Sequence, residues 1–387
     1  ASDAVTTAKI ADSNITSAKI ASGVIQNQSA FKNIIINGDM SIAQRGTSTA
    51  SITSAGYHTI DRFQTLIVAG GTWTQSQSTT VPSGQGFGKS LKMDCTTADS
   101  SLAAGDYLIV RQKIEGQNLQ YLKKGTSSAE STTVSFWVRS NKTGTYIAEL
   151  YDFDNTRHIC QQYTISSADT WEKKTLTYAG DTSGAFTNDN GESLALNFWL
   201  AAGTDYTSGS LDTTWGTVSG RAAHRANGQV NLADSTSNEW YVTGVQLEAG
   251  TASSDFEFLP HDVNLKRCQR YYSVVADRRT SGVNPIRDQR AIGIGTTHYP
   301  NQVSVQLVFP TEMRSVPSLD QASGTDYYQY YHETTGDNFN SFNSIGGNGV
   351  STMIVRNTNN ISASHGISGT VTAISSGNSY VALEAEL

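Results

Sequence analysis

The feature that most constrains this chain is a series of short runs in which apolar and polar side chains alternate, each closed by a cluster of Gly, Asn, Asp, Ser or Thr. In Thr133-Val-Ser-Phe-Trp-Val-Arg139, Val134, Phe136 and Val138 fall on one side and Ser135, Trp137 and Arg139 on the other, because strand side chains alternate across a sheet. Ser193-Leu-Ala-Leu-Asn-Phe-Trp-Leu200 places Leu194, Leu196, Phe198 and Leu200 on one face in the same way. Runs at 33–36, 107–114, 145–152, 171–178 and 239–247 read as further strands, and no long helical pattern separates them. Residues 31–262 therefore predict two packed antiparallel sheets in a jelly-roll sandwich, within a chain that is all-β.

The segment Asn264-Leu-Lys-Arg-Cys-Gln-Arg-Tyr-Tyr272 differs from its surroundings, and residues 263–272 are expected to connect the sandwich to a second β-domain at 273–387. A short helix and an extended linker both fit it. Beyond it, strands are expected at 291–297, 303–309, 351–356, 368–374 and 380–384. The opening 30 residues carry a ten-residue repeat in which Val5, Ile10, Ile15, Ile20 and Ile25 recur every five positions. That spacing fits neither a helix nor a strand, and so few apolar groups cannot form a core within one chain. Identical copies wrapped about a common axis could bury them, as an oligomeric stalk; a flexible linker of chance similarity is the other reading.

At 387 residues the chain is long enough for more than one domain. Charged residues make up only 16%, and six Trp with seventeen Tyr supply large rings for a packed interior, which argues against disorder. The formal net charge of −7 lacks the basic field that nucleic acid or an anionic membrane surface demands, so neither is an expected partner. No apolar run approaches the ~20 residues of a membrane span, and the start shows no signal-peptide pattern. A beginning without Met suggests instead an upstream portion. Cys95, Cys160 and Cys268 are odd in number and widely spread, and are expected to be unpaired thiols of a protein assembled in a reducing compartment.

Asn33-Ile-Ile-Ile-Asn-Gly-Asp-Met-Ser-Ile-Ala-Gln-Arg-Gly46 and Tyr57-His-Thr-Ile-Asp-Arg-Phe63 resemble the opening of a sandwich module found in tail fibre proteins of tailed bacteriophages. The likeness continues in order through Gly244-Val-Gln-Leu-Glu-Ala-Gly250, Phe256-Glu-Phe258, Cys268-Gln-Arg-Tyr-Tyr272, Phe309-Pro-Thr-Glu-Met-Arg-Ser-Val-Pro317 and Ala385-Glu-Leu387. It implies a homotrimeric fibre in the virion tail, joined to other tail proteins and ending in a receptor-binding tip. Its partner is expected to be a bacterial surface glycan or an outer-membrane receptor, with no membrane insertion. The Asn37-Gly38 pair independently favours a positive-φ turn. Arg45 and Arg62 have Asp39 and Asp61 as nearby candidate partners, although solvated surface charges are the default.

The sandwich also resembles carbohydrate-binding modules that begin with an Asn-Gly-Asp strand and hold a structural calcium. Here Thr243 and Gly244 stand where acidic ligands belong, which leaves Asp39 alone, so no metal and no other cofactor is expected. Sugar binding needs exposed rings beside short polar groups. Trp73, Trp137, Trp171, Trp215 and Trp240 are the candidates by type, with core the default for any one of them, and Trp73 and Trp215, set among polar residues, are the expected exposed platforms. Tyr327, Tyr328, Tyr330, Tyr331 and His332 are the candidate receptor contacts of the second domain. A strand whose tyrosines pack against neighbouring chains fits that run equally well. The seven His show no metal spacing, and Gly-x-Ser-x-Gly is missing, so no catalytic site is expected. Asp152, Asp154, Asp189 and Glu192 would make an acid–base pair only if folding brought two together, as a surface-polysaccharide depolymerase requires; solvated loop residues are the default. The remaining reading is a cellular glycan-binding adhesin.

Overall fold

The computed structural model describes residues 31–278, 290–375 and 379–387, so the repeat of the opening 30 residues lies outside it. The described chain is nearly all β. The sandwich is a jelly roll of two antiparallel sheets. One runs Ser48–Ile52, Thr72–Ser78, Ser90–Thr97, Glu239–Ala249, Thr132–Ser140, Glu172–Tyr178. The other runs Gly216–Thr217, Arg157–Ile165, Gly144–Asp152, Glu192–Ala202, Tyr107–Glu115, Gln64–Val68, Gly56–Tyr57.

Alternation sets the core as expected: Val134, Phe136 and Val138 from the first sheet meet Leu194, Leu196, Phe198 and Leu200 from the second, all buried in one cluster. Phe136 and Phe198 pack edge-to-face with centroids 5.0 Å apart, a favoured geometry for aromatic pairs. Cys95, Cys160 and Cys268 are buried free thiols.

The run at 33–36 is not a strand. It lies beside Glu239–Ala249, with Ile34 N–H donating to the Leu247 carbonyl and Val245 N–H to the Gly38 carbonyl, but it bends immediately into a turn. Asn37 takes φ +61°, and its side chain ties the turn by donating to the Ile42 and Asp61 carbonyls. Gly38 is needed for a different reason: a Cβ there would sit 2.0 Å from the Val245 carbonyl oxygen. Gly38→Ala must push the turn off the strand, and is expected to cost about 1–3 kcal/mol in urea unfolding, as overpacking does. A loss below about 0.5 kcal/mol, the range of an ordinary surface change, would show the approach to be slack.

Of the two readings of the connector the helix is the one formed, but it spans His261–Gln269 and so begins two residues before the expected bound, and the strand Tyr272–Asp277 already includes the connector's last residue. This strand joins Tyr380–Glu384 and Ser318–Gln321 in a three-stranded sheet. A seven-stranded antiparallel sheet completes the second domain: Thr335–Phe339, Tyr328–His332, Ser368–Ala373, Ala291–Tyr299, Gln302–Val308, Thr352–Asn357, Ser344–Gly346. Its core is separate from that of the sandwich and contains Val303, Val305, Tyr328, Tyr330, Val355 and Val371.

Arg45 and Arg62 are not the solvated charges that were the default. Both reach across to the chain end: Arg45 pairs with Glu384 at 3.1 Å and Glu386 at 3.2 Å, and Arg62 also pairs with Glu386. Arg62 is 1% exposed, donates to the Lys113 carbonyl at 2.7 Å and lies 3.5 Å over the Tyr271 ring. Arg270 adds a forked pair with Glu115, which also accepts from the Tyr271 hydroxyl and from Gln117 Nε2. Segments far apart in sequence thus converge on one charged joint between the domains.

Candidate functional site

The outward face of the seven-stranded sandwich sheet carries a hollow with a cavity volume of about 220 Å³. Strand register explains its lining. Gln64, Arg111, Asn197, Glu149 and Cys160 stand side by side across five strands, and Leu66, Ile109, Trp199, Ile147 and Gln162 form the next row. These residues alternate with core residues such as Val110 and Phe198, so they must face away from the core. The loop at 203–231 then folds over one end of this face and brings in Tyr206 and Arg225.

The walls are aromatic. Tyr107 and Tyr206 meet edge-on at 5.4 Å, Trp199 lies 5.3 Å from Tyr206 at the floor, and Tyr151 and Phe153 pack at 4.8 Å on the other side. Tyr107, Tyr151, Phe153 and Tyr206 keep part of their surface exposed, whereas Trp199 and Asn197 are buried beneath them. Two guanidinium groups, Arg111 and Arg225, enter the same hollow, and its lining contains no carboxylate.

A single buried side chain organises the floor. Glu149 has no exposed surface, and its Oε2 accepts from Asn197 Nδ2 at 2.9 Å, Trp199 Nε1 at 3.0 Å and Arg225 Nη2 at 2.9 Å. Its Oε1 accepts from Arg225 Nε at 2.7 Å and faces His158 Nδ1 at 3.1 Å. Burial alone pushes this carboxyl up, but the Arg225 charge and the bonds from His158 and Arg225 outweigh it and hold the group down at about 2. The other nitrogen of His158 faces Asp212 at 2.9 Å, and Asp212 is in turn forked by Arg221. Glu149, His158 and Cys160 have ligand atoms within 4.8 Å of one another, a spacing that a metal could use. Those atoms already bond one another and Arg225, Asn197, Trp199 and Asp212, and burial raises the Cys160 thiol well above its ordinary value. This cluster is a hydrogen-bonded scaffold.

The residues singled out from sequence are scattered, and the hollow includes none of them. Trp73, expected exposed, has no exposed surface and donates to the Gly70 carbonyl inside the core. Trp215 is half-buried against the core, with its Nε1 donating to the Ala179 carbonyl. Tyr328 and Tyr330 are wholly buried in the second core, and their hydroxyls donate to the carbonyls of Ala322, Tyr380 and Ile367. These two pack within their own chain and not against neighbours. His332 is 4% exposed and bonds Asp337 at 2.9 Å, Tyr327 is half-buried, and Tyr331 at 49% is the exposed member of that run.

Asp39 accepts from Ser41 and Asn264, not from any cation-like neighbour. Asp152 is fully buried beside Lys124 at 2.6 Å, which corrects its reading as a solvated loop residue. Asp154 and Asp189 accept from Thr187, and Glu192 pairs with Lys113. A second hollow of about 280 Å³ lies on the opposite sheet between Phe87, Trp137, Lys173, Phe256 and Phe258.

No family model matches the chain, and no curated protein matches it. Among solved structures, the enzymatically active domain of tailspike protein 4 from bacteriophage CBA120 aligns over 56% of this chain and 21% of its own, at 14% identity and a TM-score of 0.30. The chain therefore spans about a fifth of that tailspike domain. A family 11 carbohydrate-binding module of Clostridium thermocellum, solved with a mixed-linked tetrasaccharide, aligns over 54% of this chain and 99% of its own, at 12% identity and a TM-score of 0.23. A family 16 carbohydrate-binding module aligns over 45% and 84%, at 12% identity and a TM-score of 0.23. Likeness at this level carries no functional weight.

Proposed function

We propose that this chain is a non-enzymatic tail fibre protein of a tailed bacteriophage, which attaches the particle to a bacterium by holding a surface glycan in the hollow of its sandwich. The observation that carries this reading is the convergence there of four partly exposed aromatic rings with Arg111, Arg225 and Asn197. Sugar rings offer apolar faces and a fringe of hydroxyls, and a pocket of aromatic walls with a few fixed polar groups is complementary to both. The tail-fibre part rests on the ordered sequence motifs, several of which meet at the charged joint between the domains. A homotrimer multiplies weak single-site affinity by presenting several copies to one surface.

The test is binding of the chain to a panel of bacterial surface polysaccharides. Tyr206→Ala and Tyr107→Ala are each expected to weaken the best binder by about tenfold or more, as loss of a central aromatic anchor does. Undiminished binding by the double variant would remove the hollow from consideration. Steady release of shorter saccharides from any bound polysaccharide would replace the fibre reading with a depolymerase.

A further inference from the structure

We propose that the saccharide taken by this hollow is anionic, and that Arg111 grips its carboxylate or phosphate group. This rests on the glycan reading of the same hollow. The two guanidinium groups of the lining are not equivalent. Arg225 is forked onto Glu149, so its charge is balanced from within the protein. Arg111 makes no ion pair among the described residues; its Nε donates to Gln64 Oε1 at 2.8 Å, and its guanidinium sits 5.7 Å from the Phe153 ring centre. Its cross-strand neighbours at this point are Gln64 and Asn197, both uncharged.

A guanidinium held by its Nε against a neutral partner leaves the two terminal nitrogens as a fork. That fork matches two oxygens of a carboxylate or a phosphate. Burial lowers the Arg111 pKa from its ordinary value and outweighs the field of Glu192, a carboxylate that is itself paired with Lys113. An anionic ligand would supply a counter-ion. In a chain of net charge −7, a carboxylate-free lining with two arginines also separates acidic ligands from the repulsion of the remaining surface.

The experiment pairs each acidic probe with its neutral counterpart: uronate-bearing polysaccharides against their carboxyl-reduced forms, and phosphate-bearing ones against their dephosphorylated forms. Binding by the intact chain is expected in the acidic arm, to weaken as salt is raised, and to fall by at least tenfold in the neutral arm. Which acidic set binds tells carboxylate from phosphate. Arg111→Gln is expected to weaken acidic binding by about 10- to 100-fold, the range of a charge-assisted hydrogen-bond pair. Arg111→Lys, which keeps charge but loses the fork, should fall between. An unchanged melting temperature in both variants separates this from misfolding. Equal binding of acidic and neutral partners overturns the anionic assignment and leaves the glycan reading standing. Absence of binding in both arms defeats the glycan reading itself.

Discussion

Glu149→Ala is expected to lower the unfolding free energy by about 3–5 kcal/mol, the usual cost of removing one partner from a buried ion pair. The variant leaves the Arg225 fork without its acceptor, and it strips the shared bonds from Trp199 Nε1, Asn197 Nδ2 and His158 Nδ1. Urea unfolding of the wild type and the variant measures the loss. A cost below about 1 kcal/mol, the range of an exposed pair, would mean that water already reaches this carboxylate.

The pH dependence follows from the same geometry. A carboxyl held at about 2 in the fold, against an ordinary value of 4.5, contributes stability that is complete above 4.5 and is lost as pH falls toward about 2. The difference in stability between wild type and Glu149→Gln should therefore be flat from pH 7 to about 5, and should shrink only below that. A difference already gone at pH 5 would contradict the depressed value.

Glu386→Ala is the second large effect, again about 3–5 kcal/mol, because it abandons the buried Arg62 and takes one carboxylate from Arg45. Replacing Arg62 and Glu386 together by Met and Leu should recover much of the loss, since a well-packed apolar pair can substitute for a buried ion pair. Failure of the double variant to improve on Glu386→Ala would show that the other bonds of Arg62, to the Lys113 carbonyl and the Tyr271 ring, carry the joint.

Much of this architecture could be read from the chain, because a period of two leaves a plain trace. The strands at Tyr107–Glu115, Glu192–Ala202 and Glu239–Ala249 lie within a residue or two of their expected bounds. The same alternation also held the site, unread. In Ser193-Leu-Ala-Leu-Asn-Phe-Trp-Leu200 the residues opposite the core are Ala195, Asn197 and Trp199, and in Tyr107–Glu115 they are Tyr107, Ile109, Arg111 and Lys113. What alternation cannot say is which outward face acquires a roof. Tyr206, in the one-turn helix Thr204–Thr207, and Arg225 arrive from the excursion at 203–231, whose placement depends on long-range bonds such as that of Arg225 to Glu149.

The misplaced candidates share one cause: local composition was weighed above alternation. Trp73 stands among Thr and Gln, yet Trp73 and Gln75 alternate inward and both are buried. Tyr328, Tyr330 and His332 likewise alternate inward, which leaves Tyr331 outside. Arg45 and Arg62 escaped for another reason, since their partner Glu386 lies more than 320 residues away and no local pattern points to it.

The division of labour around Glu149 has an evolutionary corollary. The carboxylate grips Trp199, Asn197 and Arg225 from below, whereas Tyr107, Tyr151, Phe153 and Arg111 make no bond to it, so exchanging the rim keeps those bonds and gives up only ring contacts such as that of Tyr151 with Arg225. On the function proposed above, ligand preference drifts by rim replacement on an unchanged chassis. A library randomised at those four rim positions would be a sound starting point for retargeting.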